Sequence, residues 1–478
     1  MNTAISISGL KALLPFLIMT AAAMVVMLGI AFRRDHRFTV LLTLAGLALG
    51  GGSLVFTPFA PDRYVTTLVL VDAFAGYYLA LLFAAAFAVV CLSYSYLEIQ
   101  GGHREEYYLL VLLAVLGAAV LAAATHFASF FLGIEILSVS LYGLTAYQRH
   151  RDQSVEAGVK YLILAAVSSA FILFGMALVY AEVGSMEFAR IAIRAGAAGG
   201  ALLGTGLVLI IVGLGFKLAV VPFHLWTPDV YEGAPAPVTA FIATVSKGAV
   251  FALVLRFFGN MDIRVGGALF LIFTIIAVAS MFFGNLLALM QQNVKRVLAY
   301  SSISHIGYLL VTLLAAGPLR LNASAFYLAA YFVTTLGVFG VVTVLSTRDR
   351  DADKLDDYRG LAWRRPWLAG VFTAMLLSLA GIPLTAGFIA KFYLVAAGIG
   401  SALWLLVIVL IVNSAIGLFY YLRIIGAVYS MDGPPGPSMP ISLSGSAALG
   451  GLTLALLWLG IYPGPFLALI GSLMQTAH

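Results

Sequence analysis

Long apolar runs, separated by short polar or Gly/Pro-rich segments, follow one another along the whole chain. Each run has roughly 20 residues or more, which is the length that a helix needs to cross a bilayer. The pattern predicts an all-α polytopic membrane protein with about fourteen transmembrane helices. The predicted spans are 8–32, 37–57, 66–98, 107–124, 126–147, 155–182, 201–224, 237–258, 265–289, 295–316, 322–346, 366–397, 402–429 and 441–473. The fourth and fifth runs are nearly contiguous, so thirteen spans are the alternative.

The basic residues of the loops indicate an orientation. One alternating set of loops carries 14 Lys and Arg residues, whereas the opposite set carries 5. The positive-inside rule places the richer set in the cytoplasm, so both termini are predicted to be periplasmic. The poorer set consists of Arg63, Arg190, Arg194, Arg264 and Arg320.

Two of the predicted spans are interrupted by proline close to a lysine. In the seventh, Lys217 lies five residues before Pro222, and in the twelfth Lys391 lies eight residues after Pro383. Broken helices survive in a membrane only where protein or water surrounds the freed backbone. Their spacing predicts two inverted five-helix repeats, spans 4–8 and 9–13. The predicted parts of the chain are 1–106, 107–258, 259–429 and 430–478.

The composition excludes several classes of protein. Hydrophobic residues make up 62% of the chain and charged residues only 10%, which is typical of an integral membrane protein and not of a soluble enzyme with an anchor. A single cysteine, Cys91, cannot hold an iron–sulfur cluster, a structural zinc or a disulfide. No nucleotide-binding glycine motif is present. We therefore expect no cofactor or catalytic redox centre on this chain, and no nucleic acid partner.

Four charged residues lie inside the predicted spans: Glu135, Lys217, Lys247 and Lys391. A charge at the bilayer centre costs at least ~2.5–3.5 kcal/mol, so four of them favour a use in moving an ion or a proton. The structural alternatives are a carboxyl group locked to the backbone or to Ser138, and lysines that reach the membrane surface.

Two histidines extend this set because imidazole titrates near neutral pH. His305 follows three serines in the tenth span and could relay protons, or could be a satisfied core residue. His224 is a secondary candidate, and packing in a loop is its alternative. Asp72 and Arg256, near span ends, are expected to be structural or interfacial.

Several motifs resemble the antiporter-like subunits of respiratory complex I. They are VPFHLWTPDVYEGAPAPVTAFIATVSKGAVFALVLR at 221–256, LAYSSISHIGY at 298–308, DDYRGL at 356–361 and GIPLTAGFIAKFYL at 381–394. Within that family the chain is most similar to the subunit N branch. Its length leaves no room for the long lateral helix of subunit L, and the twelfth span carries a lysine where subunit M has a glutamate.

The resemblance implies roles for individual residues. Glu135 matches the family's fifth-span glutamate, and Lys217, Lys247 and Lys391 match its lysines of spans seven, eight and twelve. His305 resembles the connecting polar residue of the tenth span. The family implies proton translocation through this chain, without redox chemistry of its own.

The resemblance also implies partners and a location. FMN, iron–sulfur clusters, NADH and quinone would be bound by partner subunits, and the neighbours would be subunits M, K, J and A in a bacterial inner membrane. Three other readings stay open at this point: a subunit of a multi-subunit cation/proton antiporter, a membrane-bound hydrogenase arm, and a passive scaffold.

Overall fold

The computed structural model describes residues 7–57, 59, 64–196, 199–261, 263, 267–317, 319–431 and 442–475. These residues form α-helices together with one short hairpin of β1 (Tyr64–Thr66) and β2 (Val69–Leu70). The helices are α1 (Ile7–Ala12), α2 (Leu14–Phe32), α3 (His36–Ser53), α4 (Ala73–Gln100), α5 (Glu105–Ala123), α6 (Phe127–Thr145), α7 (Asp152–Val183), α8 (Phe188–Gly196), α9 (Ala201–Leu218), α10 (Trp226–Gly233), α11 (Ala236–Phe241), α12 (Lys247–Gly259), α13 (Ala268–Leu289), α14 (Val294–Leu314), α15 (Leu319–Leu345), α16 (Leu361–Arg364), α17 (Pro366–Ala380), α18 (Ala386–Gly400), α19 (Trp404–Val428), α20 (Leu443–Ile461) and α21 (Gly464–Gln475).

The membrane-spanning pattern agrees with the prediction. In the described residues, 13 helical segments are long and apolar enough to cross a bilayer, and each corresponds to one of the predicted spans. The remaining predicted span, 366–397, consists of the two shorter helices α17 and α18. Helices α5 and α6 are separate, so the fourth and fifth predicted spans do not merge. The all-α polytopic fold is confirmed.

Both predicted helix breaks are present. Helix α9 ends at Leu218, and Ala219 follows with a φ of 60°. Helix α17 ends at Ala380, and Gly381 follows with a φ of 86°. Left-handed residues commonly end helices in this way, because their N–H groups bond carbonyls of the last turn. The breaks free backbone groups beside Lys217 and Lys391.

Two of the predicted spans differ from the structure in their bounds, and two further elements were not predicted. Residues 66–72 belong to the hairpin and its link to α4, because Asp72 caps that helix by accepting a bond from the N–H of Ala75. The predicted loop after the seventh span contains helix α10. The eighth span contains a π-helical turn, Ile242–Ser246, directly before Lys247. The last predicted span is divided into α20 and α21.

Asp72 and Arg256, which the sequence analysis expected to be structural or interfacial, form an ion pair with each other. The Arg256 guanidinium donates to both carboxylate oxygens of Asp72, at 2.9 and 2.7 Å, and also lies over the ring of Phe74. Both charged side chains are buried. The pair joins the start of α4 to α12, and two-point Arg–carboxylate contacts of this kind fix geometry well.

A second buried ion pair joins distant parts of the chain. Lys295, at the start of α14, donates to Asp351 at 2.7 Å, and Arg151 approaches the same carboxylate at 3.3 Å. Tyr96 of α4 also donates to Asp351. Burial alone would raise the pKa of Asp351, but Lys295 and Arg151 outweigh it and lower that pKa.

The inverted repeats, the four-part division and the orientation of the termini stay predictions. Arg63 and Arg264, two basic residues of the poorer loop set, lie outside the described residues.

Candidate proton-transfer site

Glu135 and Lys217 approach the same serine-lined site, but no direct ion pair joins them among the described residues. The Lys217 ammonium donates to Ser138 Oγ at 2.6 Å. The carboxylate of Glu135 accepts from Ser169 Oγ at 2.5 Å. Since Ser138 follows Glu135 by about one helical turn on α6, the two charges interact across this serine-lined site.

Lys217 is placed differently from the prediction, although it is buried as expected. It lies in the last turn of α9, whereas the sequence placed it more than one turn from the end of its span. Its side chain is only 5% exposed, so its ammonium stays inside the protein and does not reach the surface.

Lys247 is the most deeply buried of the three candidate lysines, at 1% exposure. Its ammonium donates to Ser302 Oγ at 2.7 Å and lies 5.4 Å from the centre of the Tyr231 ring. A lysine has three N–H donors, and within the described residues only one of them has a hydrogen-bond partner. The preceding π-helical turn is of a kind that is frequent at functional sites.

His305 lies among tyrosines, and both of its ring nitrogens have partners. Nδ1 lies 2.7 Å from the Tyr327 hydroxyl, and Nε2 lies 3.3 Å from the Tyr421 hydroxyl. Tyr421 is in turn hydrogen-bonded to Ser301. His305 shares a small cavity with Lys391, and it lies one turn after Ser302, the residue that binds Lys247. The relay role of His305 stays a prediction.

Lys391 reaches back across the break between α17 and α18. Its ammonium donates to the carbonyl oxygens of Leu379 and Ala380, at 3.0 and 2.8 Å, and to Ser414 Oγ at 2.9 Å. The last carbonyls of a helix carry partial negative charge, so this helix end stabilises the cation without an acidic residue. The Tyr308 ring lies 5.5 Å from the ammonium.

The structure leaves gaps between these groups. A small cavity of about 10 Å³, lined by His305 and Lys391, separates those two residues. Such a volume suits about one water molecule. Among the described residues, no direct hydrogen bond joins Lys217 to Lys247, or Lys247 to His305. A continuous path therefore needs water.

His224 lies after the broken end of α9 and is buried, at 6% exposure. Neither ring nitrogen makes a hydrogen bond of ordinary geometry, although Pro222 lies close by, and the ring packs 6.5 Å from that of Tyr300. Because this buried imidazole has no firm partner, His224 stays a secondary candidate for proton transfer.

The charged candidates and His305 are called the lysine row below: Glu135, Lys217, Lys247, His305 and Lys391. Its two end members, Glu135 and Lys391, lie beside exposed side chains. Glu135 is only partly buried, and it lies on α6 between Leu132 and Val139, which are 57% and 60% exposed. At the other end, a cavity of about 370 Å³ borders Lys391 and includes the exposed side chains of Phe392 and Ile411.

Sequence reasoning found the charged members of the site, His305, Ser138 and the serines before His305, but not the other groups that contact them. Ser169, Ser414, Tyr327 and Tyr421 contribute hydroxyl groups, and Tyr231 and Tyr308 contribute ring faces. Serine and tyrosine are common in membrane helices, so only their spacing relative to the lysines could have identified them. Among the described residues, no three His, Cys, Asp or Glu residues are grouped closely enough to bind a metal ion.

Comparison with known proteins defines the class of this arrangement. Residues 124–417 match the family described as NADH:quinone oxidoreductase/Mrp antiporter, transmembrane. The chain therefore belongs to the NADH:quinone oxidoreductase/Mrp antiporter transmembrane family.

Individual relatives show which members of this family the chain resembles. The chain is 50% identical to NADH-quinone oxidoreductase subunit N of Ectopseudomonas mendocina (strain ymp), over 98% of this chain and 97% of that protein. It is also similar to a chain of respiratory complex I from Thermus thermophilus, with 34% identity, a TM-score of 0.82 and coverage of 95% of this chain and 98% of the other. The Mrp complex from Dietzia sp. DQ12-45-1b shares the fold, at 21% identity, a TM-score of 0.85 and coverage of 98% and 97%.

Proposed function

We propose that this chain is a proton-translocating subunit of the membrane arm of a bacterial NADH:quinone oxidoreductase, of the subunit N type. The 50% identity to a subunit N relative, over nearly the full length of both chains, supports this assignment. Electrons would pass from NADH to quinone through FMN and iron–sulfur clusters on partner subunits, and this chain would carry no redox centre.

One observation carries the proposal: three buried ammonium groups are bound by neutral oxygens instead of carboxylates. Lys217, Lys247 and Lys391 each donate to a serine hydroxyl. Burial disfavours a charged group, and a lysine without a directly bound counter-charge can exchange its proton. Lys295 provides the contrast, because it is equally buried but directly paired with Asp351.

The row supplies an order for the transfer steps. A conformational or electrostatic signal would change the separation of Glu135 and Lys217, which sets how strongly the carboxylate stabilises the ammonium. Lys217 would then pass a proton through water to Lys247. His305, its tyrosine and serine partners and water would carry the proton to Lys391, which would release it to the periplasm.

Neighbouring subunits would cover both ends of the lysine row. A partly exposed carboxylate is expensive against lipid, so Glu135 favours protein on that face. The cavity beside Lys391 favours a second neighbour. Subunits M, K, J and A are the proposed partners, with both termini of this chain in the periplasm.

The test is proton pumping by the assembled complex carrying Lys217→Ala. We expect pumping to be lost while the complex still assembles, because the ammonium makes a single side-chain bond. Lys11→Ala, at an exposed position of α1, is the control and should pump normally. If the Lys217 variant assembles and keeps the normal ratio of protons to electrons, this lysine is not in the path.

The family also includes cation/proton antiporter subunits, and subunit composition separates the two functions. Copurification with quinone-module and iron–sulfur subunits supports the proposal. Copurification with small antiporter subunits, together with sodium-dependent proton flux, contradicts it.

A further inference from the structure

A large cavity lies at one end of the helices, away from the lysine row. It has a volume of about 820 Å³ and lies where α4 and α6 end and where α5 and α7 begin. Helix ends mark the level of the lipid headgroups in a spanning protein. The cavity is on the side that the loop charges assign to the cytoplasm.

The rim of the cavity carries basic side chains with unused donors. Arg34 is paired with Glu106 at 2.7 Å and contacts His103. Arg149 and His150 also line the cavity, and within the described residues their side chains have no hydrogen-bond or ion-pair partner. An anionic group entering the cavity would meet a free guanidinium and a free imidazole.

One part of the cavity wall is apolar. Leu97 and Leu110 line it, together with Gly143 and the outward-facing Val155. A free phosphate ion would make no use of this wall, whereas the upper part of an acyl chain would. The ligand that fits both parts is amphipathic, with its anionic group at the rim.

Gly143, which lines the cavity, lies on the same side of α6 as Glu135. Leu132, Val139 and Gly143 are exposed on this helix, and Gly143 follows Glu135 by eight residues. Eight residues of helix span about 12 Å, so a chain descending from the cavity approaches the carboxylate within one lipid length.

We propose that this cavity binds the headgroup of an anionic phospholipid. The phosphate accepts bonds from Arg149 and His150, and an acyl chain lies along the exposed residues of α6. Basic pockets between transmembrane helices on the cytoplasmic side are suited to such headgroups. The lipid would lie at the edge of the face where a neighbouring subunit covers Glu135.

The test is native mass spectrometry of the purified complex reconstituted with a mixture of phosphatidylglycerol and phosphatidylcholine. Arg149→Gln combined with His150→Gln should reduce the retained phosphatidylglycerol by one molecule per complex. Arg149→Lys should retain it, because a cation remains at the rim. Arg348→Gln removes an exposed arginine outside the cavity and should also retain it.

Equal phosphatidylglycerol retention in the double variant and the wild type would overturn the proposal. A photoactivatable phosphatidylglycerol gives an independent readout that does not depend on folding of a variant. Crosslinks to the segments 97–110 and 143–155 support the site. Crosslinks only elsewhere, with a partner subunit covering these segments, contradict it.

Discussion

Replacing Lys247 by methionine separates a proton-transfer role from a packing role, because the two predict opposite effects on stability. Methionine keeps the length and most of the volume of the side chain, and a volume-conserving core change usually costs less than about 1.5 kcal/mol. The change removes a buried ammonium that has one hydrogen bond and no carboxylate partner among the described residues. Removing such a charge relieves a desolvation cost of several kcal/mol.

The expected result is a complex as stable as the wild type, or more stable, that no longer pumps. A positioned group that transfers protons contributes about 100-fold or more to its step, so we expect pumping driven by NADH oxidation to fall by about that factor. The assays are the melting temperature of the purified complex and the initial rate of vesicle acidification.

Lys295→Met is the matched control, because that lysine is also fully buried. It donates to Asp351 and to the carbonyls of Glu232 and Ala234. Removing one member of a buried ion pair costs about 3–5 kcal/mol, so this variant should lose stability but keep its pumping per assembled complex. The reasoning is refuted if Lys247→Met lowers the melting temperature as much as Lys295→Met and leaves pumping intact.

Three further changes test other parts of the account. Glu135→Gln should lower turnover per assembled complex and leave assembly unchanged. Asp72→Asn should instead reduce assembly, because it leaves a buried guanidinium with a weakened partner. Immunoblots measure assembly and NADH oxidation rates measure turnover; equal effects of the two variants on turnover contradict the assignment. Gly381→Ala should impair pumping for two reasons. A φ of 86° costs alanine ~1–2 kcal/mol, and the added Cβ would lie 2.8 Å from the Lys391 side chain. Gly370→Ala, where an added Cβ would meet no described atom within 4 Å, is the control and should pump normally. Asp351→Asn should lower the melting temperature at neutral pH.

The sign of the pH effect at Asp351 follows from its lowered pKa. The ionised carboxylate stabilises the folded state above the unfolded-state pKa of about 3.9, and that stability is lost as the pH falls through the lower folded-state value. The melting temperatures of the wild type and the variant should therefore converge in acid. Asp349→Asn, at an exposed position of the same loop, should leave the melting temperature as in the wild type at every pH. A constant difference at all pH values would argue against the ion pair.

The sequence predicted the long helices and the buried charges because both depend on the cost of placing polar groups in lipid. That cost applies residue by residue, so apolar runs and isolated lysines are visible without a structure. The prolines near Lys217 and Lys391 similarly revealed the two helix breaks.

The sequence could not predict the contacts that set the chemistry, because they join residues far apart in the chain. Ser302 bonds a lysine 55 positions earlier, and Ser138 bonds one 79 positions later. Within the described part of the chain, Glu135 and Lys217 are each bound by a serine hydroxyl and not by one another. The π-helical turn before Lys247 was equally hidden, since its residues have ordinary helical composition.

The most direct test of the central claim is an experimental density map of the assembled complex at a resolution that shows ordered water. The account predicts water molecules between Lys217 and Lys247, between Lys247 and His305, and in the small cavity that separates His305 from Lys391. Gaps filled by apolar side chains, with no water joining the ammonium groups, would contradict it.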